Sequence, residues 1–385
     1  MKVVHLCLGN YYADGYSYQE NLLPKFHKQL GYEVEVIASM QSFDAAGKVC
    51  YLQQTSSYIN EHGIRVTRLP YKWDNAIGHK LKRFVGTYDA IKAAAPDILF
   101  IHNVQFLDSD VVGKYLKAHP NVVAYADNHA DFANSATNWV SKNILHKVLW
   151  KRCAQVLKPY IKRFYGVLPA RVRFLTEVYG LPEDQCALLE MGVDDEVAER
   201  TTLPQAIADT RAAWGVEEED FMMVTGGKIN SYRPETLNLM RAVIQSADPK
   251  LKLLVFGVVA EELKAEFNEL CKDSRIIFAG WKTPEETNYI MAAANLVVFP
   301  GLHSVMWEQA VGLGVPCVFR KIPGFDHVDL DGNAVFIEDT STNAIQKVIE
   351  EIAGDPVRQE KMRATAREQG RNVFSYRQIA MRSIQ

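Results

Sequence analysis

The sequence lacks the features that mark membrane-spanning, secreted, zinc-binding and dinucleotide-binding proteins. No apolar run approaches the length of a membrane span, and the N-terminal MKVVHLCLGN has only a strand-length apolar run, too short for a signal peptide. The six cysteines are scattered without CxxC pairing, which argues against a zinc site or a disulfide framework. No G-x-G-x-x-G follows the first predicted strand, so a dinucleotide fingerprint is not supported. These absences predict a protein of a reducing cytoplasm.

Strands and helices alternate along most of the chain. With 385 residues, 48% of them hydrophobic and 23% charged, the chain has the composition of a soluble globular protein of about two domains. KVVHLCL and EVEVIAS, joined by a helix, form a βαβ unit, and a second run of this kind begins at FMMVTGG after a stretch, Gly192 to Asp220, that is predicted to be a loop. This alternation predicts an α/β fold with parallel sheets and two Rossmann-like domains.

One stretch, Phe299 to Phe319, places a lone carboxylate between two buried strands. NLVVF and PCVF are predicted to be strands, and a helix from Val305 to Gly312, capped by Ser304, is predicted between them. Open α/β sheets bind ligands beyond the carboxyl ends of their strands, and a helix N-terminus there favours anions. Glu308 lies one turn into this helix. It is a candidate binding residue, or else a partly buried Glu on a packed helix.

Two histidines follow predicted strands at the edge where such sheets build their sites. His102 comes after DILFI, and His129 comes after VVAYA, with Asp127 and Asp131 on either side of it. Histidine at such a position can carry a proton or orient a substrate, although many histidines are only structural. We predict a functional role more firmly for His129 than for His102, with Asp127 able to orient it.

Two further segments could approach phosphate groups. In TGGKINSYRPE a glycine turn is predicted between a strand and a helix, with Lys228 and Arg233 beside it, and two such cations can clamp a diphosphate. Gly15, in the loop after the first strand, could let the backbone approach a ligand. Ordinary surface charge and an ordinary turn are the alternatives.

The chain is basic in its middle. Between Phe132 and Thr176 there are nine Lys or Arg and no Asp or Glu. A single helix is predicted over SKNILHKVLWKRCAQVLKPYIKRF, and its basic, partly apolar character suits an anionic membrane surface. We predict such a contact through residues 142–164, the alternative being a solvated helix face. No nucleic-acid partner is predicted, because no recognition motif accompanies the charge.

Four motifs occur in an order that resembles a known family. EMGVD, TGGKINSYRPE, FAGW followed by PEETNYIMAAANLVVFPG, and WEQAVGLGVPCV resemble the GT-B glycosyltransferases of family 4, also called group 1, of the bacterial surface-polysaccharide type. The resemblance implies two facing Rossmann-like domains, residues 1–190 plus 372–385 for the acceptor and residues 191–371 for the donor. FSYRQIAMRSIQ resembles the closing helix that crosses back to the first domain.

The resemblance also assigns roles to residues. Lys228 and Arg233 match the pair of cations on the donor diphosphate, and Glu308 matches the second Glu of the E-x7-E motif, which holds the donor ribose. His129 resembles the histidine near the transferred sugar, and Trp281 follows the glycine of a loop that lines the base. The implied catalytic residues are His129, Lys228 and Arg233, and the implied donor site comprises Gly15, Gly227, Lys228, Arg233, Trp281, His303, Ser304, Val305 and Glu308. His102 and Asp127 are acceptor-side candidates.

One departure concerns the first Glu of that motif. Pro300 stands eight residues before Glu308, and the loop between them is shorter than usual, so the Glu that contacts the donor sugar is absent. His303 and Ser304 remain to take its place, and the backbone amides of Ser304 and Val305 could meet the diphosphate.

The implied reaction is transfer of a sugar from a nucleoside-diphosphate sugar to a hydroxyl of a glycan or polyprenyl-linked acceptor, with retention and without a cofactor or metal. The predicted location is the cytoplasm, with peripheral binding to the inner face of the cell membrane. Two alternatives stay open: a nucleotide-sugar epimerase of the same architecture, and a non-catalytic subunit that binds nucleotide sugars or glycans.

Overall fold

The computed structural model describes residues 1–44, 48–132, 134–231 and 234–385. The chain divides into two compact units. The first comprises Met1–Glu190 with Ile379–Gln385, and the second comprises Met191–Gln378. The predicted α/β fold with parallel sheets is confirmed in both units.

The first unit is built on an eight-stranded sheet. Its strand order is β10-β9-β8-β7-β1-β2-β6-β5, and every neighbouring pair is parallel except β5 with β6 at one edge. A short antiparallel pair, β3 with β4, stands apart from it. The strands are β1 (Lys2–Cys7), β2 (Glu33–Ser39), β3 (Gln41–Phe43), β4 (Val49–Tyr51), β5 (Ser57–Ile59), β6 (Arg65–Leu69), β7 (Ile98–Ile101), β8 (Val123–Asn128), β9 (Ile161–Gly166) and β10 (Cys186–Leu188).

Helices cover this sheet and bury its apolar strands, of which β7 is buried at every position. Strands buried on both faces are expected where crossover helices connect parallel neighbours. The helices are α1 (Gln19–Gln29), α2 (Ala76–Leu81), α3 (Thr87–Ala94), α4 (Ser109–Ala118), α5 (Lys151–Leu157) and α6 (Pro169–Glu177), with a π-helix (Ser141–Trp150) that runs into α5 and a 3₁₀ turn (Glu183–Gln185).

The second unit has a six-stranded sheet in which all pairs are parallel. Its order is β13-β12-β11-β14-β15-β16. The strands are β11 (Phe221–Ile229), β12 (Leu251–Val259), β13 (Ile276–Gly280), β14 (Leu296–Phe299), β15 (Cys317–Arg320) and β16 (Ala334–Ile337). The predicted strands NLVVF and PCVF correspond to β14 and β15.

In the second unit, two helices precede the first strand, others lie between strands or follow the last strand, and α16 runs into the segment that belongs to the first unit. They are α7 (Asp195–Thr201), α8 (Pro204–Ala213), α9 (Glu235–Gln245), α10 (Lys264–Leu270), α11 (Pro284–Ala292), α12 (Met306–Gly312), α13 (Thr342–Ala353), α14 (Pro356–Thr365), α15 (Arg371–Val373) and α16 (Tyr376–Ser383), with a 3₁₀ turn (Glu261–Leu263) and a π-helical turn (Ala366–Gly370).

Two predictions of local structure were wrong. The basic segment is not one helix, because α5 ends at Leu157 before Pro159, and Lys162 and Arg163 lie on β9. Proline lacks the amide hydrogen that a continuing helix needs, and its ring clashes with the preceding turn. The stretch from Gly192 to Asp220 is not a loop but contains α7 and α8. Asp194 caps α7 by accepting a hydrogen bond from an amide of its first turn, and a proline starts α8.

Candidate functional site

In the second unit a pocket lies at the carboxyl ends of β11 and β14, two strands that pair directly. Two glycine-containing segments form most of it, one from the end of β11 and one from the loop after β14. Its lining residues are Thr225, Gly226, Gly227, Lys228, Glu235, Thr236, Phe299, Pro300, Gly301, Leu302, Ser304 and Met306. This is the edge of a parallel sheet at which ligands bind in open α/β folds.

Gly226 and Gly227 of this pocket lie inside β11, not in a turn as predicted. β11 continues through Gly226 and Gly227 to Ile229, and Gly227 has a φ of +124°. A Cβ on Gly226 would meet the ring of Phe256 at 2.4 Å. On the neighbouring strand, a Cβ on Gly257 would lie 1.9 Å from the carbonyl oxygen of Gly227. Side chains are therefore excluded here, and Lys228 ends the segment with an exposed side chain.

Two histidines hold the carboxylate of Glu308. Its Oε1 atom lies 2.9 Å from Nε2 of His303 and 2.9 Å from Nε2 of His327. The Glu308 side chain is fully buried, and those of the histidines are 7% and 4% exposed. Burial disfavours the charge, but the two imidazoles outweigh it and lower the pKa of Glu308 to about 2. Glu308 is therefore an ionised hydrogen-bond acceptor. A Glu that only packs on a helix would not need to keep this charge.

Two buried acceptor atoms in this cluster have no hydrogen-bond partner among the described residues: Oε2 of Glu308 and Nδ1 of His327. Nε2 of His327 donates to Glu308, so Nδ1 of this ring presents a lone pair whenever the ring is neutral. Unsatisfied buried polar atoms cost about 1–3 kcal/mol each, so a ligand that donates hydroxyl hydrogens would be stabilised here.

The same three side chains could hold a metal ion, since one ligand atom from each lies within 4.8 Å of the others. A histidine that ligates a metal normally donates its second ring N–H to an acceptor. His327 Nδ1 is buried and faces no acceptor among the described residues. The cluster therefore fits a hydrogen-bonded carboxylate better than a metal centre.

The predicted helix cap at Ser304 was wrong. Helix α12 begins at Met306, Val305 occupies the cap position, and no side chain caps the helix. Ser304 lies in the pocket lining instead, and its carbonyl oxygen accepts the Trp307 amide.

An ion pair in this unit was missed by the sequence analysis. Arg320, at the end of β15, donates to Oε1 of Glu235 at 2.7 Å, while Oε2 of Glu235 is buried without a partner among the described residues. Glu235 lines the pocket. Glu235 lies in the first turn of α9, and no sequence signal pairs it with Arg320.

Among the predicted donor residues, Trp281 is not part of the pocket lining. The indole of Trp281 is 67% exposed just after β13, where a flat ring could stack against a base. Arg233 lies outside the described residues, so its place relative to Lys228 stays a prediction.

In the first unit His129 lies beside two buried carboxylates. Its Nε2 atom is 3.4 Å from Oδ1 of Asp127 and 3.8 Å from Oε1 of Glu20, and it makes no hydrogen bond among the described residues. Burial disfavours charge on the ring, but the two carboxylates outweigh it and raise the pKa of His129. This arrangement suits a histidine that carries a positive charge or transfers a proton. Glu20, on α1, was not predicted.

Asp127 and His102 are fully buried, so neither presents an atom to solvent. Asp127 accepts the Asn103 amide at 2.7 Å through Oδ1 and contacts Nδ1 of His102 at 3.0 Å through Oδ2. Despite its burial, His129 and His102 lower the pKa of Asp127. The two acceptor-side candidates, Asp127 and His102, therefore lie in the interior, beneath His129. Gly15 lies in an exposed part of its loop with a φ of +76°, where its amide donates to Glu61.

Residues 208–372 match the family model of glycosyl transferases group 1, a region that covers less than half of the chain. No curated protein matches. Among solved structures, HepE from Anabaena in complex with UDP is similar, with a TM-score of 0.70 at 17% identity over 99% of this chain and 98% of that chain. WaaG, a glycosyltransferase involved in lipopolysaccharide biosynthesis, is similar with a TM-score of 0.67 at 15% identity over 99% of each chain. UDP-GlcNAc 2-epimerase from Neisseria meningitidis bound to UDP-GlcNAc is similar with a TM-score of 0.64 at 10% identity over 100% of this chain and 99% of that chain.

These findings support a glycosyltransferase. The likeness to solved structures, at such low identity, shows the GT-B fold alone. The family match covers the second unit's pocket and the Glu308 cluster. Among the described residues, no helix combines the length and apolar character needed to cross a membrane.

Proposed function

We propose that the protein transfers a sugar from a nucleoside-diphosphate sugar, with UDP-sugars as the first class to test, to a hydroxyl of a glycan or a polyprenyl-linked acceptor. The observation that carries this proposal is the pocket at the ends of β11 and β14. This part of the second unit combines the glycine backbone of β11, the exposed cation of Lys228 and the ionised carboxylate of Glu308. The complex of HepE with UDP is consistent with such a donor.

In this proposal Glu308 and His327 receive the ribose. A ribose carries two neighbouring hydroxyl groups, and the cluster has two buried acceptors without donors, Oε2 of Glu308 and Nδ1 of His327. Glu308 is fully buried, so the ribose reaches it only when the segment around His303 shifts. Leu302 in that segment is 50% exposed, and few buried contacts hold such a residue in place.

Lys228, together with Arg233 as a prediction, stabilises the departing diphosphate. Charge develops on the diphosphate as its bond to the sugar breaks, so fixed cations lower the barrier more than they strengthen ground-state binding. Removing one such group is expected to cost roughly 100-fold to 1000-fold in rate, on the scale of a lost oxyanion donor. The reaction then needs no metal and proceeds with retention, both of which are part of the proposal.

His129 is assigned to the acceptor and the transferred sugar. Asp127 and Glu20 raise the pKa of His129, which favours the positively charged form of the ring. A charged imidazole donates to an oxygen on which negative charge develops, which is its role in this proposal.

The experiment that tests the function combines binding with turnover. Purified protein is screened by thermal shift against UDP, GDP, ADP and dTDP and their common sugars, without added metal. A ligand at 100 times its Kd stabilises by about 2.7 kcal/mol, which is easily observed. The positive sugar is then incubated with and without glycan or polyprenyl-phosphate acceptors. Transfer to an acceptor supports the proposal, an altered sugar without acceptor indicates an epimerase, and binding without turnover indicates a non-catalytic subunit.

We also propose that the first unit binds an anionic membrane through the helical segment Ser141–Leu157 and the residues before it. Large apolar side chains are exposed here, namely Trp139 (69%), Val140 (53%), Ile144 (48%) and Val148 (64%). Lys142, Lys147 and Arg152 are exposed beside them. Exposed apolar groups with interleaved cations are typical of interfacial helices, and such binding would bring a polyprenyl-linked acceptor within reach. Peripheral membrane location belongs to this proposal.

Cosedimentation with vesicles of phosphatidylglycerol and phosphatidylcholine tests the membrane contact. The variant Lys142→Gln/Lys147→Gln/Arg152→Gln should sediment less, since each cation near an anionic surface contributes about 1 kcal/mol. Lys162→Gln/Arg163→Gln, on β9, is the matched control because these cations lie outside the helical segment. Equal loss in both variants, or none in either, would contradict the proposed surface.

A further inference from the structure

Three buried imidazoles form a continuous chain in the first unit beneath Asp127. His5 lies on β1, His27 on α1, and His102 directly after β7, and all three are fully buried. Nδ1 of His5 is 2.9 Å from Nε2 of His102, and Nε2 of His5 is 2.9 Å from Nδ1 of His27. Such distances are those of N–H···N hydrogen bonds, so each contact contains one hydrogen.

Both ends of this chain meet hydrogen-bond acceptors. At one end Nδ1 of His102 is 3.0 Å from Oδ2 of Asp127. At the other end Nε2 of His27 is 3.0 Å from the carbonyl oxygen of Ala380 and 3.0 Å from Oγ of Ser383. Oγ of Ser383 is itself 2.9 Å from the Ala380 carbonyl, to which it donates.

The number of hydrogens in the chain follows from this geometry. Four contacts, from Asp127 through the three rings to Ala380, each need one hydrogen. Three neutral imidazoles supply only three N–H groups. If Ser383 supplied the fourth by donating to His27, the lone pair of His27 Nε2 would face the Ala380 carbonyl oxygen at 3.0 Å. A fourth proton on the rings satisfies every contact, including the bond from Ser383 to Ala380.

We propose that the His27–His5–His102 chain holds one proton more than three neutral imidazoles carry, and that this protonated chain is a positioning device that fixes the Asp127 carboxylate beside His129. The relevance to His129 rests on the proposed function, whereas the proton content of the chain does not. His5, His27 and His102 are positioning residues, because none of them reaches solvent or a substrate.

The charges around the chain determine where the extra proton resides. Desolvation lowers the pKa of His5 well below its usual range and that of His27 to about 4, so the proton is disfavoured at that end. Asp127 is the only carboxylate that contacts the chain among the described residues, and its contact is with His102, at the end opposite to His27. Phe100 and Tyr32, whose rings lie against the imidazoles, add no charge.

Other titratable groups on neighbouring elements are more distant from the chain or already paired. Glu20 of α1 acts on His129 and accepts from Asn10, and Arg171 of α6 pairs with Asp131. The buried ammonium of Lys82 donates to the Gly9 carbonyl. Cys7, on the same strand as His5, is buried, and its raised pKa keeps it a neutral thiol. Tyr165 and Arg382 lie near the last turn, where the Tyr165 hydroxyl donates to the Arg382 carbonyl. The Asp127 carboxylate is thus the counter-charge of the chain.

The decisive experiment counts ring N–H groups by NMR in the full-length protein labelled with ¹⁵N-histidine. Signals are assigned with single substitutions, and spectra are recorded near neutral pH, where exchange with solvent is slow for such buried groups. The proposal predicts four N–H groups on the three rings, with one ring carrying two. Three N–H groups, one for each ring, would overturn it.

Two variants sharpen the count. Ser383→Ala removes the only hydroxyl among the described residues that contacts His27, and the proposal predicts four N–H groups as in the wild type. If Ser383 were the donor, the count in this variant would rise from three, which would contradict the proposal. His5→Phe interrupts the chain, and the two remaining rings should then carry one N–H each, a loss of the extra proton. His119→Phe is the matched control, because the His119 ring contacts Tyr115 of α4 and is not part of the histidine chain.

A second readout connects the chain with the reaction. When transfer activity has been found, His5→Phe should shift the pH profile of kcat/KM, measured at a temperature at which the variant is fully folded, whereas His119→Phe should leave the profile unchanged. An unchanged profile would refute the positioning role, even with four N–H groups present. Absence of turnover in the wild type would contradict the proposed function alone, because the N–H count does not depend on activity.

Discussion

The variant Glu308→Gln separates donor recognition from stability in the second unit. The amide oxygen of Gln can still accept from Nε2 of His303 and Nε2 of His327, as Oε1 of Glu308 does at 2.9 Å from each. Its NH₂ group then takes the place of Oε2, the buried oxygen that has no partner among the described residues. An acceptor thus becomes a donor where the ribose hydroxyl is proposed to donate.

The expected loss follows from the charge of that acceptor. A hydrogen bond to a charged group contributes about 1.5–3 kcal/mol, which corresponds to roughly 10-fold to 150-fold in Kd. Isothermal titration of UDP should show a loss in this range. Inorganic pyrophosphate, which has no ribose, should bind the variant as it binds the wild type.

Glu338→Gln is the control for a lost negative charge, because Glu338 is exposed and its ion-pair partner among the described residues is Lys321. It should leave UDP binding unchanged. If Glu308→Gln binds UDP within about twofold of the wild type, Oε2 of Glu308 does not face the ribose and this assignment fails. If pyrophosphate binding falls equally, the effect is general disruption of the pocket and the reasoning fails as well.

Three further predictions concern stability. The pKa of Glu308 is lowered from 4.5 to about 2, so the contribution of this carboxylate to the free energy of unfolding is complete above about pH 4.5 and is lost as the pH falls towards 2. In denaturant unfolding, the stability of Glu308→Gln should therefore depend less on pH in this window than that of the wild type. An identical pH dependence would contradict the ionised carboxylate. Gly257→Ala should lower the free energy of unfolding by about 3 kcal/mol or more, because its Cβ would lie 1.9 Å from the Gly227 carbonyl oxygen. Gly332→Ala is the control, since Gly332 has a φ of +113° but open space around it. It should cost only about 1 kcal/mol in the same unfolding assay. Thr283→Ala removes the capping box of α11 and should cost about 1 kcal/mol, and a Tm equal to that of the wild type would show that the cap is not formed in solution.

The alternation of strands and helices could be predicted from the sequence because parallel sheets buried on both faces leave continuous apolar runs. ILFI and LVVF are such runs, and every residue of β7 and β14 is buried. Element ends were harder to predict. The segment after Leu157 is rich in Lys and Arg, which favour helix, but Pro159 and pairing with β8 override that preference.

The individual elements of the candidate site were predictable, but their partners were not. Position after a strand singled out His129 and Asp127, and a lone carboxylate on an apolar helix singled out Glu308. Arg320 ends β15 and His327 follows that strand, and nothing in the local pattern connects them with Glu235 or Glu308. Such pairs arise from strand order, which places β14 between β11 and β15 although their sequence positions are far apart.

The histidine chain shows the same limit in a stronger form. His5 and His27 face inward from a buried strand and a buried helix, where a sequence pattern suggests only core packing, and His102 alone follows a strand end. Their contact depends on β1 lying beside β7, and on the last turn of the chain returning to α1. The proton count is a property of the whole line of acceptors from Asp127 to Ala380, not of any one histidine. A pattern of single residues therefore predicts where chemistry can occur, whereas the protonation that controls it follows only from the packed structure.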